Sequence, residues 1–147
     1  PVVVVIYGDH KPRLGDGNSA YEELGVNLDV STEEGFRNYY ATDYLIWAND
    51  AAKAALDRDF TGTGPELSSC FLMNEVFAQC GYTGNAYLQA TDEIRSVLPV
   101  ITSVGKYVDA SGTICTELTD AQQEALNTFR CLEYYWATEF QYEEYEQ

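Results

Sequence analysis

Residues 2–6 read Val-Val-Val-Val-Ile, five β-branched positions in succession with no polar residue among them. Two heavy atoms on each Cβ crowd a helix and suit a pleated strand. A strand with one solvated face alternates apolar and polar residues. An unbroken run therefore predicts a strand covered on both faces, as in the parallel sheets of α/β proteins. The run stops at Tyr7-Gly8-Asp9-His10, and Pro12, Gly15 and Gly17 mark a loop after it. A second strand, in the same sheet, is expected over residues 44–48, where Tyr44, Leu45, Ile46 and Trp47 stand together.

Helix signals punctuate the rest of the chain. Ser31 followed by Glu34 has the form of a capping box and opens a helix that runs through Tyr40. A helix is expected over residues 66–79, with Pro65 near its first turn and Gly81 as its stop. Cys70, Met73, Phe77 and Cys80 would share its main apolar face, with Leu72 and Val76 beside it. Another helix should cover residues 86–97 and end before Pro99. A hairpin is expected over residues 106–114, turning at 109–112. The last helix starts near Thr119, with Gln122 completing a second capping box. Its stripe of Ala125, Phe129, Leu132, Trp136 and Phe140 reads as core. The acidic, tyrosine-rich stretch 139–147 reads as a solvated helix end. No repeat, linker or internal boundary interrupts the pattern, so residues 1–147 are read as part of one domain.

Composition narrows the function classes. Apolar residues make up 46% of the 147 positions and aromatic residues 14%, enough to bury a core and unlike a disordered chain. The formal charge of −16 repels phosphate backbones and anionic membranes, so no nucleic-acid partner is expected. No apolar run is long enough to span a bilayer. With no initiator Met and no leader before its apolar first strand, the chain is expected to be a soluble piece of a longer protein.

Four cysteines stand at 70, 80, 115 and 131, with no spacing typical of a zinc site. Cys70 and Cys80 fall in one expected helix, about 15 Å apart at its rise per residue, which is beyond disulfide reach. They are expected to be free, buried thiols. For Cys115 and Cys131 a mutual bond and two free thiols are both open.

Chemistry concentrates at the end of the first strand. Ligands in open α/β sheets bind beyond the carboxyl ends of strands, where Asp9 and His10 stand before a glycine-rich loop. A carboxylate oxygen and an imidazole nitrogen suit Zn²⁺ or Mn²⁺. A turning strand end lets adjacent side chains converge, and Gly8 gives the backbone room. The alternative is a hydrogen-bonded loop pair. His10 is the only histidine, so further ligands would come from elsewhere. Lys11 and Arg13 follow directly, basic residues in an acidic chain, suited to an anionic headgroup or to ordinary solvation.

The segment Gly8-Asp9-His10-Lys11-Pro12 resembles the Gly-Asp-His-x-Pro block of lipoteichoic acid synthase-like proteins of the sulfatase/alkaline phosphatase superfamily. The resemblance continues through Tyr21-Glu22-Glu23-Leu24-Gly25 and Thr42-Asp43-Tyr44-Leu45-Ile46-Trp47-Ala48-Asn49. It extends to Leu98-Pro99-Val100-Ile101 and the tyrosine-rich last helix. The irregular stretch 57–64 and the acidity of the tail depart from the family pattern.

The resemblance implies an α/β fold, with residues 1–147 forming the C-terminal part of an alkaline phosphatase/sulfatase-like sheet flanked by helices. It implies that Asp9 and His10 bind a catalytic divalent metal, Mn²⁺ first, with Zn²⁺, Mg²⁺ or Ca²⁺ as alternatives. Lys11 and Arg13 would meet the substrate. The implied reaction is phosphoglycerol transfer from a phosphatidylglycerol-type lipid, through a hydroxyl nucleophile that lies upstream of this chain. Its partners would be an anionic lipid headgroup or glycerophosphate polymer and the rest of its own catalytic domain. The parent would work at the extracellular face of a membrane, and this chain alone would be inactive. Sulfate-ester hydrolysis is the alternative chemistry. A non-catalytic module that binds the cell envelope through its aromatic, acidic tail is the alternative class.

Overall fold

A computed structural model describes residues 1–140. The fold is mixed α/β, with six α-helices and two small antiparallel sheets among the described residues. The chain divides into two compact units, Pro1–Gly62 and Thr63–Gln147. No helix among the described residues is long and apolar enough to cross a membrane.

In the first unit, β1 (Val3–Tyr7) pairs with β2 (Tyr44–Ala48), so the two expected strands do share a sheet. The pairing is antiparallel, with Val3 opposite Ala48 and Tyr7 opposite Tyr44. Exposure alternates along both strands, which corrects the expectation of a strand covered on both faces. Val3, Val5, Ile46 and Ala48 turn inward, while Val4, Ile6, Leu45 and Trp47 are exposed. A two-stranded sheet has one covered face here, and a uniformly apolar run cannot say which of its sides that will be.

Asn49 joins the strands to the next helix. Its side chain accepts from Ala52 N–H to cap α3 (Asp50–Leu56) and from Val2 N–H at 3.1 Å to hold the start of the first strand. Helix α1 (Ser19–Glu23) was not foreseen, nor was α3; both are too short to show a period. Helix α2 (Glu33–Tyr40) begins one residue later than expected, with Thr32 rather than Ser31 as its cap. The Asp29 carboxylate holds the Ser31 N–H in a local turn, and Thr32 Oγ1 is left to accept from Gly35 N–H at 3.0 Å. Phe36, Ala48 and Ala52 are this unit's buried apolar residues.

The second unit is built on helices and a small meander. After a 3₁₀ turn at Ser69–Phe71 come α4 (Leu72–Cys80), α5 (Ala86–Val97) and α6 (Asp120–Thr138). The strands β3 (Val100–Ile101), β4 (Tyr107–Val108) and β5 (Ile114–Cys115) form the sheet in that order. The expected hairpin is present: Gly112, at φ 82°, donates to the Asp109 carbonyl, and the Asp109 carboxylate accepts from Ser111 and Thr113. These hydrogen bonds, that of the Ser111 hydroxyl foremost, hold the Asp109 carboxyl below its ordinary pKa. The capping box of Thr119 and Gln122 is formed, and α5 has the expected bounds.

Two expectations fail here. Residues 66–68 are not helical, because the Ser68 hydroxyl bridges to Ile101, donating to its carbonyl and accepting from its N–H, both at 2.9 Å. The buried side of α4 carries Leu72, Asn74 and Glu75, while Met73 is 52% exposed. Asn74 donates to Leu88 carbonyl and Thr91 Oγ1, and Glu75 accepts from Arg95, so partners on α5 make this polar burial affordable.

The core of this unit clusters around Phe71, Ile94 and Phe129, with Leu98, Tyr107 and Leu126 in a second cluster. The expected stripe of α6 is therefore core only in its first half. Trp136 and Phe140 stack on each other at 4.1 Å and remain over one-third exposed. Most of the acidic stretch 139–147 lies outside the described residues.

All four cysteines are free. Cys70 is exposed rather than buried as expected, yet nearby protein desolvates its sulfur. That desolvation, with the charge of Glu133, pushes the Cys70 thiol up to about 11. At pH 8 it should remain a thiol. Alkylation of Cys70 by iodoacetamide, followed by peptide mass mapping, is expected to run about tenfold slower than that of free cysteine. Its rate should rise only as pH climbs toward 11, and labelling as fast as free cysteine would contradict this environment.

Candidate metal site

The strand β1 ends at Tyr7, and the next four residues form the candidate site. Gly8 continues the ladder by one bond, its N–H donating to the Asp43 carbonyl at 3.2 Å. On its other side the Gly8 carbonyl accepts from the Thr42 hydroxyl at 2.6 Å. A Cβ at position 8 would stand 3.0 Å from Thr42 Cβ, so the absent side chain makes room for the threonine.

Asp9 and His10 then leave the sheet. Asp9 Oδ1 accepts from His10 N–H at 2.9 Å, which folds the carboxylate back over the next residue. Asp9 Oδ2 stands 3.6 Å from His10 Nε2. Two ligand atoms, each about 2.1 Å from one ion, stand about 3.0 Å apart in octahedral and about 3.4 Å in tetrahedral geometry, so a small closure of this pair would let it share a cation.

The imidazole carries a second feature. His10 Nδ1 is 3.0 Å from the Lys11 carbonyl. A carbonyl only accepts, so Nδ1 carries a proton in this contact, and in the neutral ring Nε2 is the nitrogen left with a lone pair. Metal-binding histidines are commonly fixed in this way, through a backbone carbonyl on the other ring nitrogen.

Both side chains are exposed, His10 at 76% and Asp9 at 81%. Among the described residues no group of three or more His, Cys, Asp or Glu side chains is placed to hold an ion. The pair alone offers two ligand atoms and leaves most of a coordination sphere to other donors.

Lys11 and Arg13 flank the pair as the chain enters its loop. Lys11 is half-buried and Arg13 exposed. Tyr21, on α1, donates its hydroxyl to the Pro12 carbonyl at 2.9 Å and so ties down the peptide between the two basic residues. Neither Thr42 nor Tyr21 was singled out from the sequence as part of the site. Thr42 becomes a neighbour only once the β1–β2 register is known, because 34 residues separate it from Gly8.

Compared with protein-family models, with characterised proteins and with solved structures, the chain shows no significant match.

Proposed function

We propose that Asp9 and His10 supply two ligands to a divalent cation, Mn²⁺ foremost, in an enzyme that transfers a phosphoryl-type group. The observation that carries this reading is the 3.6 Å approach of Asp9 Oδ2 to His10 Nε2, with the Lys11 carbonyl holding the metal-binding tautomer. The finer reading is phosphoglycerol transfer from a phosphatidylglycerol-type lipid, with the chain forming the C-terminal part of a sulfatase-like catalytic domain. It rests on the resemblance of the Gly8–Pro12 block and of residues 42–49.

When bound, the cation supplies Lewis acidity and charge neutralisation at the transferring group. Asp9 lends it negative charge and His10 a nitrogen of fixed orientation. Lys11 and Arg13 draw in the anionic headgroup against the repulsion of a chain with net charge −16. The remaining ligands and the hydroxyl nucleophile come from the rest of the catalytic domain. Exposure of Val4, Ile6, Leu45 and Trp47 supports such an arrangement, since an uncharged apolar face in so acidic a chain suits contact with further protein.

The test uses the single imidazole of the chain. Mn²⁺ is titrated into the protein with millimolar Mg²⁺ present to occupy diffuse acidic sites, and paramagnetic broadening of the His10 ring is followed by NMR. Selective broadening of His10 and its neighbours is expected, with weak affinity because two ligands leave most positions to water. Broadening spread evenly over the acidic surface would refute the site.

A further inference from the structure

We propose that Thr42 is a positioning residue for the Asp9–His10 pair, its hydroxyl fixing the peptide plane from which Asp9 projects and thereby setting the metal affinity. The inference rests on the reading of Asp9 and His10 as ligands. The Gly8 carbonyl and the Asp9 N–H belong to one rigid peptide plane. Holding that carbonyl at 2.6 Å from the Thr42 hydroxyl therefore orients the start of Asp9. From there the order passes along the chain. Asp9 Oδ1 takes the His10 N–H, and His10 Nδ1–H meets the Lys11 carbonyl.

Few other contacts could do this work. Asp9 and His10 are more than three-quarters exposed, so packing does not hold them. The ladder bond from Gly8 N–H to Asp43 fixes the peptide before Gly8, not the one after it. The Thr42 side chain also covers Gly8 from above, with Cβ and Cγ2 at 3.0 and 3.3 Å from where a Cβ would stand. The hydroxyl orients the plane, and the bare glycine lets the hydroxyl reach it.

The experiment compares the wild-type chain with Thr42→Val, which keeps the shape and removes the donor, and with Thr42→Ser, which keeps the donor. Three quantities are read: Mn²⁺ affinity from broadening of His10, the tautomer of the metal-free His10 ring from its nitrogen shifts, and thermal stability. Thr42→Val is expected to weaken Mn²⁺ binding about tenfold or more, the usual effect of losing a hydrogen bond behind a metal ligand. Its ring should drift toward mixed tautomers, and Thr42→Ser should restore both readings.

A merely structural threonine would lower the melting temperature and leave affinity and tautomer as they were; that result overturns the proposal. Wild-type protein that shows no selective His10 broadening removes the metal reading itself, and this proposal with it. If Thr42→Val does not fold, Thr42→Ala decides, because it removes the hydroxyl and relieves rather than adds contact at Gly8. Undiminished Mn²⁺ affinity in that variant would also overturn the proposal.

Discussion

Replacing Asp9 by alanine in the enzyme proposed above is expected to lower turnover of a chromogenic phosphodiester by about 10³-fold or more, with bound metal lost in parallel. The size of the effect follows from what one carboxylate does here. Asp9 Oδ2 faces the imidazole, where it is proposed as a ligand, and Asp9 Oδ1 accepts from the His10 N–H. Alanine removes a charged ligand and releases the second one. Asparagine separates the two roles, because its carbonyl oxygen can still accept from His10 N–H while the charge is gone. Asp9→Asn should therefore keep the loop geometry and retain a weak metal response. Metal content by atomic absorption and initial rates with added Mn²⁺ check both variants. Full activity in Asp9→Ala would remove Asp9 from the site and leave the hydrogen-bonded loop pair as its whole role.

The largest stability effect is expected at Phe71. Its side chain is fully buried, meets Phe129 edge-on at 5.4 Å, and belongs with Ile94 to a cluster against which Leu67, Ile101, Ala125 and Leu132 pack. Phe71→Ala removes the centre of that cluster, which helices and meander enclose, so the space cannot close cheaply. A loss of about 3–5 kcal/mol is expected in denaturant unfolding. That is a large share of the stability of a unit of this size. Trp136→Ala provides the contrast. The indole is larger but 41% exposed and stacked on the surface, so its loss should cost about 1 kcal/mol. Hydrogen exchange localises the effect: amides of α5 and α6 should lose protection in Phe71→Ala and keep it in Trp136→Ala. Equal effects at the two positions would mean that the core has been misplaced.

Local signals in the sequence located several element ends, although the cap of α2 fell on Thr32 rather than Ser31. Pro99 marks the end of α5, Thr119 and Gln122 open α6, and Asp109 with Gly112 turns the hairpin. Each of these acts within a few residues. Asp9 and His10, adjacent in the chain, stand with Oδ2 and Nε2 3.6 Å apart.

Which side of each element is covered was decided only by tertiary structure. Around α4 apolar residues occur on every side, so periodicity favoured Met73. The fold buried Asn74 and Glu75 instead, because Thr91 and Arg95 on α5 satisfy them. In β1 every residue from Val3 to Ile6 is apolar, and only pairing with β2 made Val4 and Ile6 the open side. Thr42 reaches Gly8 for the same reason. Hydrogen-bond partners and strand register are relations between distant residues, whereas propensity and capping are properties of neighbours.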